Sequence, residues 1–379
     1  MRRDFIMKKH LPLFVLLIGF AVFSPAHSQA AGHNGPPPEA FSACNGKTGG
    51  ASCNMRTPHG IMNGTCGLPR GQNDIVCMPS NMRQNGSRPQ TGRHDPSVQG
   101  GGQRQMRQHT TTQSSGIKNL YPATQEPITN SHYSSVIQGD WRIITSNAIA
   151  NHKTGAFPNP GNPNSISKQA FTVHVPKNPK LSNGTVTQIK IPGWALNGVP
   201  FDPGAGEFYK GNRSSGWQYE ALSGAIALGL DVNHAHVQPS GKYHYHGLPS
   251  LFMNKLGVRP DKHSPQIGWA VDGFPIYALY GYKNSKPVNA GTKKLTPSYR
   301  IKSGQRPSGA NQPGGTYDGT FVADYEYVMG SGDLDECNGR WTITPEYPDG
   351  TYAYFLTQTY PVVPRCVKGE NVVNERGHP

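Results

Sequence analysis

The chain has 379 residues and a formal charge of +14, yet only 15% of its residues are charged, while 46 are glycine and 34 are proline. That much glycine and proline argues against long helices and for short strands joined by turns. The basic surplus is neither gathered on a helix nor interleaved with aromatic residues, so a nucleic-acid partner is not expected.

Residues 1–30 read as a signal peptide lying outside the mature protein. "MRRDFIMKKH" is cationic, "LPLFVLLIGFAVF" is an apolar run too short to span a bilayer, and "AHSQA" ends in small residues. Removing Arg2, Arg3, Lys8 and Lys9 together with Asp4 lowers the charge by 3, from +14 to +11. No later run is apolar enough for a membrane span, so a periplasmic or secreted protein is expected. Cleavage after Ala30 would expose Ala31-Gly32-His33, whose amine, amides and imidazole can chelate Cu(II) or Ni(II).

Residues 41–79 hold Cys44, Cys53, Cys66 and Cys77 among Gly- and Asn-rich turns. A segment this short cannot bury enough apolar surface unaided, so cross-links must make up the deficit. The absence of close CxxC pairs and the exported context favour disulfides over zinc thiolates. All three connectivities stay open. The segment resembles a small cysteine module of bacterial exported proteins through its "C-x-G-K … G-x-C … C-x-P" pattern, and the resemblance implies no activity.

Residues 80–125 are rich in Arg, Gln, Gly and Ser and nearly devoid of aliphatic side chains. Such a composition predicts a disordered basic linker, with His94 and His109 solvated. It carries nearly half of the mature chain's net positive charge. From 126 to 369 short aromatic and β-branched runs return, several alternating with period two and separated by Gly, Pro or Asn-Gly. The expectation is one mostly-β, sandwich- or barrel-like domain. Within it, "GWQYEALSGAIALGL" is the one stretch that could be a helix.

The chemistry concentrates in "LDVNHAHVQPSGKYHYHG", Leu230 to Gly247. Pro239-Ser240-Gly241 has the residues of a three-residue hairpin loop. Gln238 then faces Lys242, His236 faces His244, and His234 faces His246. Alternation places all four histidines on one face and Tyr243 and Tyr245 on the other. Four imidazoles roughly 5 Å apart repel when protonated, and a divalent cation resolves the conflict. Copper or zinc on His234, His236, His244 and His246 is therefore expected, with His263 of "KHSPQIGWAVDGFPIYA" a candidate further ligand. Asp231 could orient a ligand imidazole or cap a turn. Asp272 is read first as a turn residue, and Tyr243 and Tyr245 first as core, with a supporting role behind the ligands. Glu207 is a further carboxylate that could stand near the site, and His174 reads as core or surface.

A later stretch, "LDECNGRWTITPEYPDGTYAYFLT", repeats the frame. Asn338, Arg340, Ala353 and Phe355 stand where the first copy has its histidines. This internal duplication makes the Asp, Gly and Tyr frame scaffold and the histidines an addition to one half. Cys337 and Cys366 are expected to pair. On "NHAHVQPSGKYHYHG", "HSPQIGWAVDGFPIYA" and "LDECNGRW" the chain resembles the YHYH-domain family of exported proteins, over about Tyr133 to Gly369. The resemblance implies no reaction. No GxSxG, P-loop or dinucleotide fingerprint is present. The expected function is an exported metal-binding protein, catalytic if one coordination position stays open. The alternative is a cell-surface module for carbohydrate or protein, with structural histidines.

Overall fold

The computed structural model describes residues 38–57, 60–67, 75–79, 109–284, 291–370 and 372. The expected signal peptide, the possible Ala31-Gly32-His33 chelate and most of the expected basic linker lie outside the described residues. The chain divides into two units, residues 1–100 and 101–379. No described helix is long and apolar enough to cross a membrane.

In the first unit, helix α1 (Pro38–Ser42) accompanies an antiparallel sheet of β1 (Ser52–Thr57), β2 (Gly60–Gly67) and β3 (Val76–Pro79). Cys44 pairs with Cys66 and Cys53 with Cys77, which selects one of the three connectivities. The half-cystines are themselves the core, together with Ala40, Met55 and Val76. An apolar cluster that small relies on its cross-links for stability.

The second unit is mostly β. A three-stranded antiparallel sheet comes first, from β4 (Tyr133–Gln138), β5 (Trp141–Ser146) and β6 (Phe171–Pro176). The strands that matter next are β7 (Thr187–Gln188), β8 (Gly193–Ala195), β9 (Pro200–Phe201), β10 (Gly204–Phe208), β11 (Gln218–Glu220), β12 (Ala235–Val237) and β13 (Tyr243–Tyr245). Helix α2 (Ser250–Leu256) leads to β14 (Gly268–Ala270) and β15 (Pro275–Ala278). After the short ribbon strands β16 (Tyr280–Tyr282), β17 (Thr292–Lys294), β18 (Tyr299–Ile301), β19 (Ser308–Gly309), β20 (Gln312–Pro313) and β21 (Tyr325–Tyr327) come β22 (Gly339–Thr344), β23 (Tyr347–Leu356) and β24 (Cys366–Val367).

Eight of these form one sheet in the order β12-β13-β9-β8-β14-β15-β23-β22. The order reads as a palindrome. At its centre β8 and β14 run antiparallel, pairing Trp194 with Trp269, Gly193 with Ala270 and Ala195 with Gly268. Outward from there, β9 pairs parallel to β13 (Phe201 with Tyr245), and β15 pairs parallel to β23 (Ile276 with Tyr354). The hairpins β12–β13 and β22–β23 close the two ends.

The inner hairpins have sequences to match, "GWALNGVPF" and "GWAVDGFPI". Each turns on a glycine at positive φ, Gly198 at 82° and Gly273 at 89°. An added Cβ there would meet Ser146 Oγ at 2.1 Å or the Pro176 carbonyl oxygen at 2.2 Å, so both backbone conformation and space require glycine. The duplication read from the outer hairpins thus extends over the whole sheet. A single core joins Ile144, Val173 and Val175 of the three-stranded sheet to Trp194, Phe201, Val237 and Tyr243 of the larger one.

Two expectations are corrected. Residues 216–230 contain β11 and turns rather than a helix. Gly224 and Gly229 take φ of 70° and 65°, and a Cβ on Gly224 would strike the Gly116 carbonyl at 1.8 Å. The linker also ends earlier than composition suggests. Tyr121 donates to the Leu230 carbonyl and accepts from Val232, and His109 accepts from the Lys210 amide at its carbonyl. Leu120 packs against a second core cluster around Tyr219 and Phe321. A few anchoring side chains with paired backbone groups order a segment whose average composition is polar.

Candidate metal centre

The hairpin forms as its turn residues dictate. Gly241, at φ 83°, donates to the Gln238 carbonyl at 2.8 Å, and His236 faces His244 across the ladder. Tyr243 and Tyr245 are fully buried in the core on one face. On the other, His236, His244 and His246 converge, exposed by only 8%, 1% and 2%. The His246 Nε2 stands 3.0 Å from the Nε2 of both His244 and His236. Ligand atoms of these three residues lie within 4.8 Å of one another.

Their outer nitrogens explain the orientation. His236 Nδ1 lies 2.8 Å from the Leu228 carbonyl oxygen, and His244 Nδ1 lies 3.1 Å from that of Lys242. A carbonyl only accepts, so each Nδ1 carries the hydrogen and each Nε2 turns a lone pair inward. Burial holds His244 and His246 well below the ordinary histidine pKa, and repulsion from His236 adds to it for both. Protonation therefore cannot relieve the crowding near neutral pH. At most one hydrogen, on His246, remains to be shared between two facing acceptors.

His234 stands apart, a correction to the four-histidine face. Although its carbonyl still accepts from His246 N–H at 2.8 Å, its φ of 52° swings the side chain out of the strand pattern. Its Nδ1 meets the Leu248 carbonyl at 2.8 Å instead. The left-handed conformation belongs to the frame, since Asn338 at the matching place has φ 56°. His263 is also elsewhere. It is buried in the other half against Tyr282 and Tyr277, with ring centroids at 4.8 and 5.0 Å, and near Phe355, which occupies the place of His246. Its Nδ1 meets the Ser264 carbonyl at 2.7 Å, and burial lowers its pKa.

The carboxylates read as supports do not touch the cluster. Asp231 accepts from Tyr243 Oη at 2.6 Å, Gly155 N at 2.9 Å and Asn233 N at 2.9 Å, so it braces the core tyrosine and the turn. Asp335 does the same with Tyr352 Oη at 2.8 Å and Cys337 N at 3.0 Å. Asp272 accepts from Tyr354 Oη at 2.5 Å, Gly369 N at 2.9 Å and, within its turn, Phe274 N at 3.3 Å. Desolvation raises its pKa. Tyr243 thus serves the frame. Tyr245 Oη meets Asn197 Nδ2 at 2.8 Å, the counterpart of the Asp272–Tyr354 pair, and His152 Nε2 at 2.7 Å. Glu207, in β10, and His174, in β6, are likewise outside the group of converging nitrogens.

One carboxylate near the site escaped the sequence reading. Phe201 pairs with Tyr245 and its ring lies against that tyrosine, so Asp202, next along, projects toward the histidine face. Its carboxylate, 1% exposed, accepts from Gln238 Nε2 at 3.0 Å. Sequence carried no signal for it, because the parallel pairing of β9 with the histidine strand β13 appears only in the fold.

A family model described as "YHYH protein" matches residues 172–369, more than half of the chain. The chain belongs to the YHYH family. No curated protein and no solved structure matches it. The matched residues span both halves of the duplicated sheet. In this YHYH protein the motif Tyr243-His244-Tyr245-His246 divides by alternation: its tyrosines enter the core and its histidines supply two members of the cluster. The third, His236, comes from the facing strand. The N-terminal cysteine unit lies outside the matched residues.

Proposed function

We propose that this YHYH protein is an exported metal-binding protein that holds copper or zinc on His236, His244 and His246. One observation carries the reading: in a buried site the Nε2 of His246 stands 3.0 Å from those of His236 and His244, both fixed as acceptors by main-chain carbonyls. Metal-bound histidines characteristically donate their other ring nitrogen to such a partner. A structural role alone leaves lone pairs facing without enough hydrogens, which a cation relieves.

Tetrahedral zinc with bonds of about 2.0–2.1 Å separates its nitrogens by about 3.3 Å, so the rings need part only by a few tenths of an ångström. Three protein ligands leave one position open. A bound zinc would lower the pKa of a water there and support hydrolysis, whereas copper would support redox or oxygen chemistry. The chain's own contribution is to hold the rings neutral, fix their tautomers and exclude bulk water. Donors that are all nitrogen argue against a blue-copper electron carrier. The disulfides suit an oxidising compartment outside the cytosol.

The test is elemental analysis of the full chain purified from the periplasm. Near-stoichiometric copper or zinc is expected in the parent protein and none in the H244A/H246A variant. A parent that carries no metal, even after incubation with either ion and desalting, refutes the proposal.

A further inference from the structure

Outside the histidine cluster, the second unit has a cleft of about 550 Å³, lined among others by His234, Glu220, Tyr299, Tyr325, Tyr360 and Gln358. That volume falls within the range of small-molecule sites. His234 is the unexpected member. Its frame position needs a residue that tolerates positive φ and ties down the next strand. In the other half Asn338 does both, at φ 56° and with its amide donating to Thr357 Oγ1 at 3.1 Å. Asparagine and histidine both tolerate such a backbone. His234 meets the same needs with Nδ1, hydrogen-bonded to the Leu248 carbonyl. Its Nε2 is then a lone-pair acceptor left over from the scaffold, on a half-buried ring lining the cleft.

Three tyrosines form an aromatic part of the lining. The Tyr360 ring stacks on Tyr325 at 3.7 Å, has the Arg365 guanidinium 5.0 Å from its centroid, and meets Tyr299 edge-on at 5.5 Å. The charges around the cleft are spent within the protein. Glu220 accepts from Leu222 N at 2.6 Å and faces Arg365 at 3.3 Å, and Arg300 is paired with Glu326 at 2.9 Å. What the cleft offers a ligand is the uncovered part of the tyrosine rings, the exposed amide of Gln358 and one imidazole acceptor, the Tyr299 hydroxyl being held by the Glu336 carbonyl at 2.8 Å. Apolar ring surface combined with scattered uncharged donors and acceptors matches a sugar, with its C–H faces and hydroxyl rim, better than an anion or a cation.

We propose that this cleft binds a neutral saccharide, with His234 Nε2 accepting from a sugar hydroxyl and the tyrosine wall packing against the sugar's C–H face. The cleft uses none of the three cluster imidazoles.

The experiment uses the full chain with cellotetraose, chitotetraose, mannotetraose, maltotetraose and tri-galacturonate, read by saturation-transfer NMR and calorimetry. At least one neutral tetrasaccharide should bind. H234N, which installs the residue the other half uses, should weaken it about five- to tenfold, the loss of one hydrogen bond, without changing metal content. Gln358→Ala, at an exposed position, should weaken it by a similar factor and serves if H234N folds poorly. Binding of none of the neutral sugars at millimolar concentration overturns the proposal. So does preference for galacturonate, parent-like affinity in both variants, or loss of metal from H234N, which would assign that imidazole to the ion.

Discussion

Removing the central imidazole of the cluster is the sharpest test of the metal reading. His246 Nε2 is the atom that stands 3.0 Å from both other ligand nitrogens. His246→Ala therefore leaves two imidazoles and no third. Structural zinc bound by four ligands is worth about 10–16 kcal/mol, or about 2.5–4 kcal/mol per ligand. At about 1.4 kcal/mol per decade, losing one should weaken affinity about 10²- to 10³-fold. Competition for zinc and copper against a chromophoric chelator, at constant pH on the full chain, reads that ratio directly. His234→Asn and His263→Ala supply the contrast, because each ring is hydrogen-bonded elsewhere and neither joins the cluster; both should bind within about twofold of the parent, as expected of positions that share no ligand with the site. An H246A variant with parent affinity would refute the reasoning, and so would an equal loss in H234N.

Burial lowers the pKa of His152 and of His263, so each favours folding fully above about pH 6.5, its unfolded value, and loses that contribution as pH falls toward its folded pKa. In metal-free protein, H152Q and H263Q should each lessen the drop in urea stability between pH 7.5 and 5.5, and unchanged pH profiles would deny the desolvation. Comparing variants matters because Glu220 and Asp272, raised by burial, titrate with the opposite sign. Tyr243→Phe and Tyr352→Phe each remove a hydroxyl from a buried or half-buried aspartate and should cost about 1.5–3 kcal/mol in thermal or denaturant unfolding, with metal content kept. Cys337 and Cys366 are paired across 29 residues, and replacing both with alanine should cost about 3 kcal/mol by the same measurement.

Much of the site was legible because it depends on rules with a short reach. Turn chemistry at Pro239-Ser240-Gly241 set the register, and alternation then sent the tyrosines and three histidines to opposite faces. His234 escaped that logic because alternation holds only while φ stays negative, and its sign is decided by a turn that Asp231 organises. His263 was placed by proximity in sequence to the second hairpin, whereas the palindromic sheet carries it to the half that lacks the cluster. The repeat "GWALNGVPF" and "GWAVDGFPI" was visible, but only pairing of β8 with β14 reveals that two such hairpins meet back to back. The end of the linker was hidden for a different reason: Tyr121 is ordered by backbone partners a hundred residues away, which local composition cannot register.

The duplicated sheet gives this molecule an internal blank. The half with Arg340, Ala353 and Phe355 folds on the same braces as the half with three imidazoles, so shape places no demand on those rings. Whatever keeps them there acts on chemistry alone, and the barren copy is where a transplanted trio could reveal how little else the chemistry requires.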